Sequence, residues 1–148
     1  MSCIEYQVAH VDPEEAQPTL RHLLYENNVE RIGHYGIQPL ACYAKNQSGA
    51  LLGGVYAFVK LGWLEIDMVW VRESVRRQGI ATQLLTQIEE AGQQAGARWA
   101  NLMTGSFQDG LAFYKKNGYQ VYADLPLIND QGQPYQKYYL QKTLVDKG

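Results

Sequence analysis

LEIDMVWVRESVRRQGIATQLLTQIEEAG, residues 64–92, decides how the rest of the chain is read. Leu64–Val71 is mostly large, apolar and β-branched, as a buried strand is. Ala81, Leu84, Leu85, Ile88 and Ala91 then recur at helical spacing, with Gln83, Gln87, Glu90 and Gln93 on the opposite side. Between strand and helix stands the turn Arg76-Arg77-Gln78-Gly79-Ile80-Ala81. A helix entered from such a turn presents unpaired backbone N–H groups, and its aligned peptide dipoles add about half a positive charge there. With two arginines beside it, the turn is suited to a phosphate-bearing ligand.

Working outward, composition sets the bounds. At 148 residues the chain reads as one domain over 1–148, large enough for a core of its own. Hydrophobic residues make up 46% and charged ones 19%, the balance of an ordinary globular protein. A net charge of −2 and no Lys/Arg cluster that resembles a nucleic-acid face, the pair Arg76-Arg77 being too small for one, argue against a nucleic-acid partner, and the mild acidity slightly favours a cationic substrate. No apolar run is long enough to span a membrane, and Met1–Glu5 has neither the basic nor the apolar segment of an export signal, so a cytoplasmic location is expected. Cys3 and Cys42 form no CxxC pair and read as reduced thiols. His10, His22 and His34 follow no metal-ligand spacing, and no metal is expected. There is no G-x-S-x-G and no Walker or dinucleotide glycine pattern.

Taken in order, Cys3–Val11 alternates as a strand does, and Asp12-Pro13-Glu14-Glu15 is a helix start. Leu20, Leu23, Leu24 and Asn27 share one helix face, interrupted early by Pro18, and residues 28–38 read as loop with room for a turn of helix. Leu40–Lys45 and Ala50–Lys60 flank a hairpin turn at Asn46–Gly49, and Gly62 turns the chain into Trp63–Val71. Arg98–Thr104 is the next strand, Gly110–Asn117 a helix ended by Gly118, and Tyr119–Ala123 and Gln136–Leu144 close the sheet.

Two motifs carry a resemblance. Arg76-x-x-Gly79-x-Ala81 is similar to the Arg/Gln-x-x-Gly-x-Gly/Ala turn of the GNAT acetyltransferase superfamily. Leu111-Ala112-Phe113-Tyr114-Lys115-Lys116-Asn117-Gly118-Tyr119 resembles that family's late helix, with its Phe-Tyr pair and terminal glycine. The resemblance covers roughly Pro39–Leu144. Gly53-Gly54, Trp63-Leu64 and Ser106-Phe107-Gln108 are similar to a branch of small, stand-alone bacterial enzymes.

The resemblance implies an α/β fold with a mixed, mostly antiparallel sheet flanked by helices, and a splayed strand pair forming an acetyl-CoA cleft. It implies transfer of acetyl from acetyl-CoA to a primary amine by direct attack, through a tetrahedral intermediate and without a covalent enzyme intermediate. By resemblance, Val69, Trp70 and Val71 offer backbone groups to the pantetheine arm, with the Val69 N–H facing the acetyl oxygen. Arg76 and the backbone from Arg77 through Gln78, Gly79, Ile80 and Ala81 to Thr82 hold the pyrophosphate. Tyr114 matches the tyrosine that faces the sulfur and can protonate the departing thiolate. At the position seven residues earlier, where the family often has asparagine, this chain has Phe107; Gln108 or Ser106 could take over that contact.

The acceptor ammonium, with pKa near 10, must lose a proton before attack. Glu65 and Asp67 are carboxylates within an apolar strand, a costly placement unless they face a cleft or a partner. Spaced by two, they are expected on one face. Asp67 is preferred as base for its closeness to Val69, with Glu65 second; each could equally be an edge residue or an ion-pair partner. A small-molecule amine is the favoured acceptor. A protein N-terminus or lysine, and a CoA-binding module without turnover, are the alternatives. A homodimer is a further expectation, with the tyrosine-rich last strand (Tyr135, Tyr138, Tyr139) as its face.

Overall fold

The computed structural model describes residues 3–12 and 18–144. The chain divides into two compact units, Met1–Tyr35 and Gly36–Gly148. In the first, Cys3–Val11 is not a strand. It has no regular secondary structure, and Ile4, Tyr6 and Val8 are 73%, 89% and 94% exposed. Alternation prepares a segment for pairing, but a strand also needs a neighbour for its backbone groups. Most of the expected helix start, residues 13–15, lies outside the described residues. Helix α1 spans Pro18–Ile32 and ends at Gly33, whose φ of 83° suits a left-handed cap. It runs on through residues 28–32, where the sequence reads as loop with room for one turn of helix. The Tyr25 hydroxyl donates to the Tyr35 carbonyl at 2.8 Å, Asn28 Nδ2 donates to the Tyr35 hydroxyl at 3.0 Å, and the two rings meet edge-on at 5.0 Å.

The second unit is built on a six-stranded sheet. Its strands are β1 (Gln38–Lys45), β2 (Leu51–Lys60), β3 (Trp63–Val71), β4 (Trp99–Gly105), β5 (Gln120–Ile128) and β6 (Pro134–Thr143), in the spatial order β1-β2-β3-β4-β6-β5. Every neighbouring pair is antiparallel except β3–β4. That parallel pair is joined by α2 (Ile80–Gln94), because parallel neighbours need a crossover rather than a hairpin. Short α3 (Gly110–Lys116) follows β4. The expected mixed, mostly antiparallel α/β architecture is therefore what the chain adopts.

Strand boundaries agree closely where turns are chemically marked. Leu61 and Gly62, with φ of 50° and 86°, make a two-residue turn of the kind right-twisted hairpins need. β5 runs on past its expected end at Ala123 and carries Pro126, which an edge strand tolerates because one side of its backbone needs no partner. β6 lies between β4 and β5, so both its edges are used; a dimer through Tyr135, Tyr138 and Tyr139 would have only the strand's faces available.

The core lies between the sheet and α2. Leu64, Ile66, Ala100, Leu102 and Leu140 meet Leu84, Leu85 and Ile88 of the helix. Gly92 lets α2 come close: a Cβ there would stand 3.0 Å from Leu64 methyl groups. At the far end of the helix, Glu89 Oε2 accepts from the Tyr119 hydroxyl at 2.7 Å, and its Oε1 pairs with Lys142 Nζ at 2.9 Å. This ties α2 to β6 and to the segment leaving α3.

Candidate active site

β3 and β4 part company half way along. They are in register from Trp63↔Trp99 to Ile66↔Leu102 and unpaired beyond. β3 continues to Val71 and β4 to Gly105, so a fork opens between them. A cleft of about 1080 Å³ occupies this fork, bounded by β3, the turn into α2, the end of β4 and α3.

The wall supplied by β3 has a definite polarity. The Arg72 N–H donates to the Leu52 carbonyl, so the alternation of an antiparallel pair turns Trp70 toward β2 as well. The Trp70 carbonyl indeed lies 2.9 Å from where a Gly53 Cβ would be, which is why glycine is needed there. Val69 and Val71 consequently direct their N–H and C=O groups into the fork. Of the three residues assigned to the pantetheine arm, two present backbone to the cleft. Trp70 contributes only its side chain, 47% exposed, with the Arg72 guanidinium 5.7 Å from the ring. One of the free acceptors, the Val71 carbonyl, takes a 3.0 Å bond from Arg76 Nε. Arg76 thus braces the turn to the strand end.

The floor is the start of α2. Gly79 is its N-cap, left-handed at φ 80°, and no side chain caps the helix. Two residues earlier Arg77 is also left-handed, at φ 68°, a conformation that costs a non-glycine residue about 1 kcal/mol. The turn is therefore held in a shape that leaves the opening amides to face the cleft, instead of satisfying them with a Ser, Thr or Asp side chain. Arg76, Arg77, Gly79, Ile80, Ala81 and Thr82 all line the cleft; Gln78 does not. These features fit a diphosphate, which accepts from backbone N–H groups and is drawn to the positive helix end.

The opposite wall comes from α3. Tyr114 lines the cleft, and its ring packs edge-on against Phe113 at 5.2 Å and Tyr119 at 5.9 Å. Burial pushes its phenol above the ordinary value of 10.0, so it stays protonated throughout the neutral range. Among the described residues its hydroxyl takes no hydrogen bond. Gly110 admits this ring: a Cβ there would fall 2.9 Å from Tyr114 and 2.9 Å from Thr104. Gln108 Oε1 accepts from Thr104 Oγ1 and from the Gly105 N–H, both at 3.1 Å, and so closes the end of β4. Ser106 is bound up with β6: its N–H donates to the Gln136 carbonyl at 2.7 Å and its hydroxyl accepts from the Gln136 N–H at 2.8 Å. Phe107 is 62% exposed on the cleft rim, edge-on to Tyr135 at 5.6 Å.

The two carboxylates are separated by a feature the sequence did not announce. The β2–β3 register shifts between Tyr56↔Met68 and Ala57↔Ile66, leaving Asp67 as the extra residue of a bulge. Strict alternation fails there, so a spacing of two no longer places Glu65 and Asp67 on one face. Asp67 is exposed and lines the cleft. Glu65 sits below the fork, on a rung still paired with β4, where its Oε2 accepts from Asn101 Nδ2 at 2.8 Å. Asn101 is a residue that sequence reasoning passed over, since a lone asparagine in a strand carries no signal until its cross-strand partner is known. Among the described residues no three His, Cys, Asp or Glu side chains gather as a metal site would require, and no helix is long and apolar enough to cross a membrane.

Comparison with known proteins follows the same lines. Residues 18–121 match the family model of the acetyltransferase (GNAT) domain. The chain is 30% identical to a blasticidin-S acetyltransferase of Streptomyces morookaense, over 76% of this chain and 81% of that protein. A provisionally assigned acetyltransferase from Agrobacterium tumefaciens superposes with a TM-score of 0.82 at 26% identity, covering 95% of this chain and 99% of that one. A crystal structure of aminoglycoside 6'-N-acetyltransferase complexed with coenzyme A shares the fold, with a TM-score of 0.60 at 20% identity over 82% of this chain and 79% of that one.

Proposed function

The chain belongs to the GNAT acetyltransferase family and is an acyltransferase, and we propose that it moves acetyl from acetyl-CoA to the primary amine of a small molecule by direct attack. The observation that carries this reading is that uncapped α2 amides and the free edge of β3 border one cleft. The family match runs across both compact units, which supports reading residues 1–148 as one catalytic domain. The blasticidin-S acetyltransferase relative supports a small-molecule acceptor.

Each residue then has a task. The amides from Arg77 to Thr82 hold the diphosphate, with Arg77 adding charge and Arg76 bracing the turn through the Val71 carbonyl. The Val69 and Val71 backbone pairs with the pantetheine arm as a strand would. The Val69 N–H donates to the acetyl oxygen and becomes more favourable as that oxygen gains charge; one such donor is typically worth about 3 kcal/mol. Asp67 takes the proton from the acceptor ammonium, the neutral nitrogen attacks the thioester carbon, and the second proton that the nitrogen sheds as the amide forms passes to solvent water. The C–S bond breaks, and Tyr114 gives its phenolic proton to the leaving thiolate. A phenol raised above 10.0 by burial is fully protonated for that step and is reprotonated from solvent after product leaves.

The test is thiol release from acetyl-CoA with a panel of small amines, with the N-acetylated product identified by mass, alongside thermal stabilisation by acetyl-CoA. We expect stabilisation and turnover on at least one small amine. Absence of any stabilisation by acetyl-CoA would remove the cofactor reading; turnover confined to peptides would replace the acceptor.

A further inference from the structure

Glu65 belongs to a hydrogen-bonded chain that the transfer step does not use. Tyr122 of β5 donates to Asn101 Oδ1 at 2.5 Å, and Asn101 Nδ2 donates to Glu65 Oε2 at 2.8 Å. The directions are forced. A carboxylate only accepts, so the Asn101 amide must turn its NH₂ to Glu65, its carbonyl then faces Tyr122, and the phenol must donate. Tyr122 is the extra residue of a bulge in β5, and its ring lies 6.1 Å from that of Tyr139, over which Lys137 places its ammonium at 5.3 Å. The Tyr122 phenol is pushed up, first by burial and next by the Glu65 charge, which places that charge within its reach. Glu65 is half-buried, one of its oxygens is engaged, and the other has no partner among the described residues.

The sheet face that carries Glu65 runs toward the cleft. Glu65 pairs with Phe58 and Met68 with Tyr56, so Glu65 and Met68 share a sheet face. Met103 follows Asn101 at a spacing of two and stands on the same face. Met68 and Met103 are 60% and 53% exposed and line the cleft. An apolar track thus leads from the fork to a fixed carboxylate. With Asp67 taken up by the bulge, three ladder rungs separate Glu65 from Val69, which puts the carboxylate on the order of 10 Å from the acetyl position at about 3.3 Å per rung.

We propose that Glu65, held by Asn101 and Tyr122, binds a second cationic group of the acceptor, so that the preferred substrate is a dication whose reacting amine and distal ammonium or guanidinium are joined by an apolar spacer. Asn101 and Tyr122 are positioning residues: they hold one carboxylate oxygen and leave the other to the distal cation. The spacer lies over Met68 and Met103, whose flexible thioethers suit an alkyl chain. This inference rests on the acetyltransferase reading and adds the acceptor class to it.

The test is a series of linear diamines, from propanediamine to decanediamine, against the matched monoamines with acetyl-CoA as donor. kcat/KM should rise with spacer length, reach at least tenfold over the monoamine near octanediamine, and show mainly in KM. In Glu65→Gln and Asn101→Leu that preference should shrink to within about twofold, and in Tyr122→Phe it should fall partway. Calorimetric titration of octanediamine into protein saturated with CoA reads the same subsite without turnover and should weaken in the same order. A wild-type enzyme indifferent to the second amine, or a diamine preference that survives in Glu65→Gln, overturns the proposal. Loss of monoamine turnover in Glu65→Gln with acetyl-CoA binding intact also overturns it, since Glu65 would then be the base. Failure of acetyl-CoA to bind the wild type strikes the underlying reading instead, and the octanediamine titration without CoA then decides the subsite: no binding overturns it, and weakening by Glu65→Gln upholds it.

Discussion

Between Trp63 and Ile66, β3 is in register with β4, and Leu64 is fully buried beneath α2 where Gly92 lets the helix close in. A few residues further on, the same strand has lost β4, carries a bulge at Asp67, and ends beside a helix start that no side chain caps. The first region satisfies its backbone and fills its volume. The second leaves N–H groups, a left-handed Arg77 and a cleft of about 1080 Å³. Both are built from one strand and one helix. The lesson is that the closed end supplies rigidity, while the open end holds donors that are expensive to leave unmade until a ligand arrives.

That contrast can be broken by substitution, beginning at the closed end. Leu64→Ala should cost about 3 kcal/mol of stability, because a fully buried leucine is replaced by a cavity under α2. Urea denaturation measures it, and a loss under about 1 kcal/mol would mean the closed end is not tightly packed. Gly79→Glu should weaken acetyl-CoA binding at least a hundredfold, about 2.7 kcal/mol. It puts a carboxylate among the phosphate-facing amides at a residue whose φ is 80°. Its melting temperature should fall far less than that of Leu64→Ala; calorimetry with acetyl-CoA and a thermal melt separate the two, and retained micromolar binding would place the phosphate site elsewhere.

Glu89→Ala sharpens the comparison. It strips partners from Tyr119 and Lys142, both on the closed side of the helix, and should cost about 2 kcal/mol of stability with little change in acetyl-CoA affinity. A large affinity loss at unchanged stability would reverse the assignment of the two ends. Tyr114→Phe should lower turnover about tenfold or more while affinity for acetyl-CoA stays within about threefold. An unchanged rate would remove Tyr114 from proton transfer.

The smallest effect concerns pH. The phenols of Tyr114, Tyr119 and Tyr122 all lie above 10.0 in the folded chain, with burial as the first cause of each. The folded state therefore keeps protons that the unfolded chain releases. The associated stability is complete below about pH 10 and is lost as pH rises beyond it. Tyr119→Phe should make that alkaline decline shallower by up to about 1.4 kcal/mol per pH unit. Denaturation curves at several alkaline pH values measure the slope, and an unaltered slope would mean Tyr119 gives up its proton as readily folded as unfolded.

How much of this was legible depended on the range of the interactions. Trp63–Val71, the α2 helix and the Gly118 cap were readable because periodicity and turn chemistry are local. Cys3–Val11 was misread for the same reason, since its alternation is local and the pairing it would need is not. The extension of α1 past Asn28 was hidden by Asn27-Asn28, poor helix formers that neighbouring turns can carry. At the site, Gly79, Ala81 and Tyr114 belong to contiguous motifs and were found as candidates. Asn101 and Tyr122 were missed because their only signal is the hydrogen-bond chain from Tyr122 through Asn101 to Glu65, which joins β5 to β4 and β3 across the intervening β6.

The sequence by itself determined the order of strands and helices, the glycine-broken turn before α2 and the family, because each is written in neighbouring residues. Only the tertiary structure decided that β3 and β4 diverge after Ile66↔Leu102, that Asp67 bulges toward the cleft while Glu65 is tied to Asn101, and that Val69 and Val71 turn their backbone into the fork. Register and bulges are properties of paired strands, and a single strand's residues do not specify where its partner will start or stop.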